Sequence, residues 1–461
     1  MAEVSALGSD QGGGHSCPAR HPQEMLVHQR RLATAAVPLL LGSLALTACG
    51  SSSKSTTSSS SSPSASSGSS SAGAPKAKAN GVLTIGTLLP ETGDLAFLGP
   101  PEIAGTQLAI NDINSAGGVL GKPVQLVKGD SGDTSTNIAS QTVDRELGQG
   151  VDAIIGAASS GVTLTVIDKV VQSGTIMFSP ANTSQKLTNY PDKDLYFRTA
   201  PPDNLQGQLD GDVITGDGHQ KVAIIARQDP YGTGLADSAQ KSIEAAGGQV
   251  VKKVIYDPNA QSYDNEVDQL VQAKPDAILY ITFDEGAKIL TRAIEKGIGP
   301  EKVPAYFVDG NVGNSLGAKI KKPGALGGSK GTQPGTKKGP DFLAKLKAVD
   351  PTLKDFNYSD SSYDAVVITA LAAEVAKTDD PGAVAKQIND VTRGGEVCKT
   401  FATCLPLAKA GKDLHYEGIL GDISFTDKGE PAKGSYEILQ YGKGTNKIDP
   451  ALTKYQVVSA P

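Results

Sequence analysis

The sequence holds 461 residues, 38% hydrophobic and 5% aromatic, with 43 lysines and arginines against 49 aspartates and glutamates for a net charge of −6. That balance excludes the strongly basic surface on which nucleic-acid binding is argued. Past the first eighty residues no apolar run approaches the roughly 20 residues of a membrane span, and the remaining chain of about 380 residues exceeds what one core usually serves, so two lobes are expected.

The chain opens on a polar stretch containing Cys17, followed by Arg30 and Arg31, a largely apolar run from Leu32 to Leu46, and Leu46-Thr47-Ala48-Cys49. Basic, then apolar, then small is the layout of an export signal. Leu46-Thr47-Ala48-Cys49 also resembles the bacterial lipobox, which implies that Cys49 is acylated and becomes the mature N-terminus. An uncleaved anchor or an ordinary signal peptide is the plainer reading. Two acyl chains hold a protein at a membrane, one only marginally. The region before Met25 does not fit this plan, so the start is expected at Met25 or Val27, with Cys17 lost in either case. Residues 1–49 are thus assigned to the leader, and 50–80, rich in serine, to a disordered tether with too little apolar surface to order itself.

From Gly81 short β-branched runs alternate with longer amphipathic stretches. "GVLTIGTLL" reads as a strand, "PPEIAGTQLAINDINSAGG" as a helix, and "KPVQLVKG", "VDAIIGA" and "TIMFSP" as further strands separated by helices. Gly117, Gly148 and Gly174 are expected at helix ends. After "APPDNLQ" the alternation restarts with "KVAIIAR", "GTGLADSAQKSIEAAGG", "QVVKKVIY", "DAILYIT" and "PAYFVDG". Each set is the signature of a parallel sheet covered by helices, so the predicted fold class is α/β with two doubly wound, Rossmann-like lobes. The predicted division is 81–201 for the first lobe, 202–331 for the second, 332–418 back in the first, and 419–461 returning to the second lobe and hinge. The last stretch reads as a hairpin turning at Asp427-Lys428-Gly429. Cys398 and Cys404 point to a local disulfide in an exported chain, with a metal site including His415 as the alternative.

Enzymatic chemistry finds few carriers. "AGGVLGKP" lacks the glycine spacing and the hydroxyl of a phosphate loop, and no G-x-G-x-x-G follows the first strand. Ser315 and Ser329 sit in G-x-S-x-G matches that do not leave a strand directly, and His219 and His415 have no evident partner among them. No catalytic residue, metal or cofactor is assigned.

Ligands of open α/β sheets bind beyond the carboxyl ends of the strands. Four such loops suit a small zwitterion. Ser159 and Ser160 open a helix where a carboxylate is favoured, or merely cap it. Asn182 and Thr183 follow the next strand, as ligand groups or as a turn. Tyr231 stands at the mouth of the second half, and Asp309 is the carboxylate chosen for an ammonium, although Asp-Gly is also a common turn. Phe97 is assigned to the cleft or to the core beside it.

Read together, "IGTLLPETGDLAFLGPPEIAGTQLAINDINSAGGVLGKPVQLV", "AIIGAASSGVTL", "FSPANTSQKLT", "RQDPYGTGLADS" and "FVDGNVGNS" resemble, in that order, the segments of branched-chain-amino-acid-type solute-binding proteins of ABC importers. The resemblance runs from Val82 onward. It implies a type I periplasmic-binding fold with three crossings between lobes and a ligand trapped by hinge closure. It implies carboxylate contacts from Ser159 and Ser160, backbone and hydroxyl contacts to carboxylate and ammonium from the loop of Asn182 and Thr183, a cleft tyrosine in Tyr231, and an ammonium partner near Asp309. Where leucine-type binders often carry an aromatic pair, this chain has Phe283-Asp284-Glu285; Phe283 is assigned to the site, and the acids either favour a polar or cationic ligand or start a helix. The implied partners are a small solute, most simply an amino acid, and the permease and ATPase subunits of an importer; no nucleic acid is implied, and a monomer is expected. The implied location is the outer face of the cytoplasmic membrane. A same-fold extracellular sensor, or a binder of an amide, urea or aromatic acid, is the alternative.

Overall fold

The computed structural model describes residues 79–459; the expected leader with Cys17 and Cys49, and the expected tether as far as residue 78, lie outside the described residues. In chain order the elements are β1 (Thr84–Leu88), α1 (Gly99–Ser115), β2 (Gln125–Val127), α2 (Ile138–Gly148), β3 (Ala153–Gly156), α3 (Ser160–Ser173), β4 (Ile176–Ser179) and β5 (Tyr196–Arg198). Next come α4 (Asp203–Gly216), β6 (Lys221–Arg227), α5 (Pro230–Ala245), β7 (Gln249–Tyr256), α6 (Asp264–Ala273), β8 (Ala277–Ile281), α7 (Gly286–Glu295), β9 (Ala305–Phe307), α8 (Asn314–Lys319) and β10 (Lys330–Pro334). The remainder is α9 (Pro340–Val349), α10 (Ser359–Ala376), α11 (Pro381–Ile388), β11 (Glu396–Cys398), α12 (Phe401–Lys409), β12 (Leu414–Tyr416), β13 (Lys433–Gln440) and β14 (Lys454–Ser459).

Strands β2-β1-β3-β4-β5 form one sheet, parallel throughout, and β14-β13-β10-β9-β8-β6-β7 a second. Their central strands are buried on both faces, as in β3 (AIIG) and β8 (AILYI), because helices cover both sides. The second sheet is parallel only as far as β10; β13 and β14 join antiparallel. Sequence periodicity does not distinguish the two senses. The expected hairpin is a tight turn, closed by Thr426 N–H donating to Glu430 O at 2.8 Å, while the long partners of β13 are β10 and β14.

The chain passes between sheets after β5, after β10 and before β13. The predicted return at 419 is early: Leu420, Ile423 and Phe425 are buried in the first lobe's core, and pairing with the second sheet begins at Lys433. Helix α10 is apolar nearly all round and is buried from Ser359 to Glu374, wedged against α1, α11 and α12. Its close approach to α1 depends on Gly105, where a Cβ would lie 2.2 Å from Ser359 O. Gly174 ends α3 in the left-handed conformation as expected, but Gly148 is the last residue of α2 itself and Gly150 takes the positive φ beyond it. Cys398 and Cys404 are disulfide-bonded, Cα atoms 5.3 Å apart, pinning β11 to α12.

Beneath β1, Glu146 is buried with neither carboxylate oxygen reaching a hydrogen-bond donor; Gly86 and Gly129 leave the space it occupies. Burial pushes its pKa up to about 8, with Arg145 opposing. A carboxyl raised on folding binds its proton in the native state over a range where the unfolded chain has lost it. Stability therefore falls by about 1.4 kcal/mol per pH unit between its ordinary value and the folded one. Glu146→Gln is expected to raise the unfolding midpoint at pH 8 and leave it nearly unchanged at pH 5. Thermal melts at both pH values check this, and an equal effect at both contradicts it.

Candidate functional site

The carboxyl ends of β3, β4, β6, β8 and β9 converge on one closed cleft. From the first lobe, Ala158, Ser159 and Ser160 precede or open α3, while Ala181 and Thr183 follow β4. From the second, Tyr231 lies in the first turn of α5, Phe283 follows β8, and Asp309 and Gly310 follow β9. Leu95, Leu98 and Tyr358 complete the lining, leaving a cavity of about 10 Å³, about the room for a single water. The apolar walls form one buried cluster spanning both lobes. A wider groove of about 910 Å³ between α4, α5 and the Glu430 turn contains none of these strand-end residues.

On one wall, Ser159 caps α3 by accepting from Val162 N–H at 3.4 Å, and Ser160 Oγ accepts from Ser184 N–H at 3.2 Å. The positive end of α3 thus faces the cleft. On the other wall, Asp309 is 4% exposed. Its Oδ1 accepts from Gln206 Nε2 at 2.9 Å and Tyr231 Oη at 2.7 Å, and its Oδ2 from Tyr358 Oη at 2.7 Å. A carboxylate has about four acceptor directions, so one on Oδ2 is left for another donor. Burial raises the Asp309 pKa while these three donors pull it down.

Tyr231 stacks on Phe283 with ring centroids 5.4 Å apart, and the Arg227 guanidinium lies 3.5 Å over the other side of Phe283. Arg227 is held by Glu285 at 2.9 Å and Asp229 at 2.6 Å, and Tyr256 donates to Glu285 at 2.6 Å. Glu285 Oε1 is thus committed behind the aromatic wall, and Asp284 is paired with Lys319. Neither acid of Phe283-Asp284-Glu285 lines the cavity. Gly310 permits this wall: a Cβ there would lie 2.8 Å from the Phe283 ring.

Of the eight ligand residues expected from the sequence, Ser159, Ser160, Thr183, Tyr231, Phe283 and Asp309 are brought together. Asn182 is not among the lining residues. Its Nδ2 donates to Ala157 O and Ala158 O, at 2.9 and 2.8 Å, and its Oδ1 accepts from Tyr196 Oη, so it ties two loops together. Phe97 is half-buried against the same cluster, and its neighbours Leu95 and Leu98 line the cavity instead. Tyr358 and Gln206 were not anticipated. The one signal for Tyr358 is the polar break "FNYSD" before an apolar helix, and Gln206 lies in the first turn after the interlobe crossing. Ser315 donates to Asp355 at 2.7 Å, whereas His415 faces Asp422 in the first lobe. Among the described residues no group of three or more His, Cys, Asp or Glu side chains is placed to hold a metal.

The Thr183 loop is fixed from behind by Arg198, which is fully buried at the end of β5. Its Nη1 donates to Asn182 O at 3.3 Å and Ser184 O at 2.9 Å, its Nη2 to Thr188 Oγ1 at 2.8 Å, and its Nε to Glu430 at 3.0 Å.

A sequence model described as periplasmic binding protein matches residues 82–446. The Leu/Ile/Val-binding protein homolog 1 of Brucella suis biovar 1 is 27% identical over 369 residues, covering 78% of this chain and 91% of that protein. Among solved structures, the branched-chain amino acid transporter substrate binding protein LivJ from Streptococcus pneumoniae, in complex with isoleucine, superposes with a TM-score of 0.66 at 22% identity, covering 82% of this chain and 100% of that one. The leucine binding protein LivK from Thermotoga maritima gives 0.67 at 20% identity, covering 82% and 99%. A solute binding protein from R. palustris in complex with benzoate gives 0.64 at 16% identity, covering 83% and 97%.

Proposed function

The chain belongs to the periplasmic binding protein family, and from that premise we propose that it is the extracytoplasmic solute receptor of an ABC importer, closing on an amino acid with an apolar, branched side chain. The observation that carries this reading is the pairing of opposite charge preferences in one cleft. The start of α3 suits the carboxylate, Asp309 offers its remaining acceptor direction to the ammonium, and Leu95, Leu98 and Phe283 surround an apolar side chain. The relatives named Leu/Ile/Val-binding proteins support the same ligand class.

In this proposal Ser159, Ser160, Thr183, Tyr231, Phe283 and Asp309 contact the ligand, with Tyr358 and Gln206 setting the Asp309 carboxylate. The two lobes divide as read from the sequence, with the last boundary moved to residue 432. Acylated Cys49 anchors the mature, monomeric chain at the outer face of the cytoplasmic membrane, and the serine tether lets it reach a permease served by a separate ATPase. The family is one of binding proteins rather than enzymes. Ligand bridging both lobes only when they are shut stabilises the closed state by population shift.

A thermal-shift screen of residues 79–461 against aliphatic amino acids, amides, urea and benzoate tests the reading. Leucine, isoleucine or valine at 100 times its dissociation constant is expected to add about 2.7 kcal/mol of stability. A response to benzoate or urea with none to amino acids overturns the ligand class.

A further inference from the structure

Ser315 has no part in the cleft, yet it meets a carboxylate from the opposite lobe. Asp355 lies in the loop between α9 and α10, and its two oxygens accept four hydrogen bonds from the start of α8. Oδ1 accepts from Asn314 N–H and Nδ2, both at 3.0 Å, and Oδ2 from Ser315 N–H at 3.0 Å and Oγ at 2.7 Å. Gly313 before them has no side chain to cap α8, so the cap comes from 40 residues further along the chain.

The two sides of this contact belong to different lobes. Leu353 and Phe356, flanking Asp355, pack into the first lobe's core, and Lys347 of α9 lies 5.6 Å over the Phe356 ring. Asp355 is thus carried by the first lobe. Its partners are fixed to the second: Gly313 N–H donates to Tyr441 Oη at 3.2 Å, Tyr441 Oη donates to Gly313 O at 2.8 Å, and Ile448 N–H donates to Asn314 Oδ1 at 3.1 Å. Leu316 and Tyr441 lie in that lobe's core.

Asp355 opens a short run that reaches across. Asn357 Nδ2 donates to Val312 O at 3.3 Å and to Gln333 Oε1 at 2.8 Å, and Tyr358 donates to Asp309 at 2.7 Å. Tyr358 holds a φ of 57°, a left-handed conformation that a bulky side chain keeps only where its surroundings impose it. Asn357 and Tyr358 are buried, whereas Asp355, Asn314 and Ser315 are half-buried, so water can take over their hydrogen bonds when the lobes part. The cavity lining includes Tyr358 but leaves out Asp355, Asn314 and Ser315. Their contact therefore contributes to closure without touching the solute. Hydrogen bonds to an ionised group are the stronger class, and bonds made only in the closed state add their free energy to that state whatever the ligand.

We infer that Asp355 is a closing latch: its carboxylate docks on Asn314 and Ser315 as the lobes shut, prolongs the closed state around the solute, and gives its donors back to water on opening. The inference rests on the proposed closure around an amino acid.

Hydrogen exchange at the Asn314 and Ser315 amides tests it. Without ligand, Asp355→Ala is expected to exchange there within about twofold of wild type, because the latch is already undone. A variant that exchanges at least about tenfold faster in the ligand-free protein means that the contact persists in the open state, and overturns the inference. Saturating leucine is expected to slow both amides at least about tenfold in wild type and far less in Asp355→Ala; equal slowing in the two also overturns it. Radiolabelled leucine is expected to leave Asp355→Ala at least about tenfold faster than wild type, with the association rate within about twofold, since association begins in the open state. Asp355→Asn, which retains one acceptor oxygen, is expected to fall between the two. Release from Asp355→Ala at the wild-type rate overturns the latch. Wild type that ignores leucine refutes the proposed ligand class instead, and the ligand-free comparison still decides whether this contact opens with the lobes.

Discussion

Arg198→Ala is expected to lower unfolding stability by about 3–5 kcal/mol and to abolish measurable ligand binding. Removing one member of a buried ion pair leaves the other charge uncompensated, here Glu430, which is 7% exposed. The same change deprives Asn182 O and Ser184 O of their guanidinium donors. Against a total of about 5–15 kcal/mol for a folded domain, the loss is large. The two effects separate in the double variant Arg198→Met, Glu430→Leu. It removes both charges, so most of the stability is expected to return, yet the Thr183 loop still lacks its clamp and affinity is expected to stay low. Urea unfolding and titration calorimetry on the two variants check this. A single variant as stable as wild type, or a double variant with full affinity, contradicts the account.

Asp309→Asn should separate binding from folding in the opposite sense. The amide keeps the carboxylate's shape; its Oδ1 still accepts from Gln206 and Tyr231, and its Nδ2 donates to Tyr358 Oη in place of the original bond. The buried Tyr358 O–H loses its acceptor, so stability is expected to fall by about 1–3 kcal/mol. On the proposed reading, however, the ligand's ammonium loses the one acidic side chain that lines the cavity among the described residues. Truncating one side of a buried charge pair costs about 2–5 kcal/mol, so affinity for an aliphatic amino acid is expected to fall at least about 30-fold. Asp309→Ala removes the acceptor of all three donors and is expected to be destabilised further. Unchanged affinity in Asp309→Asn would remove this residue from the ammonium site.

The sites of Arg198 and Asp309 differ in how far each could be read in advance. Asp309 ends a β-branched run and begins a loop, so its place at a strand's carboxyl end follows from local pattern. Arg198 sits in "YFRTAPP" with nothing to mark it. Its partner Glu430 is 232 residues away, and the pairing arises because the first and third crossings lie together. Asn182 and Thr183 are neighbours in one loop, and only the packed backbone decides that Asn182 turns back to the Ala157 and Ala158 carbonyls while Thr183 faces the cleft. The same holds for Phe97 against Leu95 and Leu98.

By itself, then, the sequence determined the alternation of strands and helices, the two lobes, and the set of strand-end loops from which a site is built. These depend on hydrophobic period, helix caps and turn residues, which act over a few neighbours. Tertiary structure alone decided the antiparallel sense of β13 and β14, the recruitment of Tyr358 and Gln206 to Asp309 across 49 and 103 residues, and the reach of Asp355 to Asn314 and Ser315. Which side chain of a loop turns inward, and which distant donor it meets, follows from how the layers pack, and no local period carries that information.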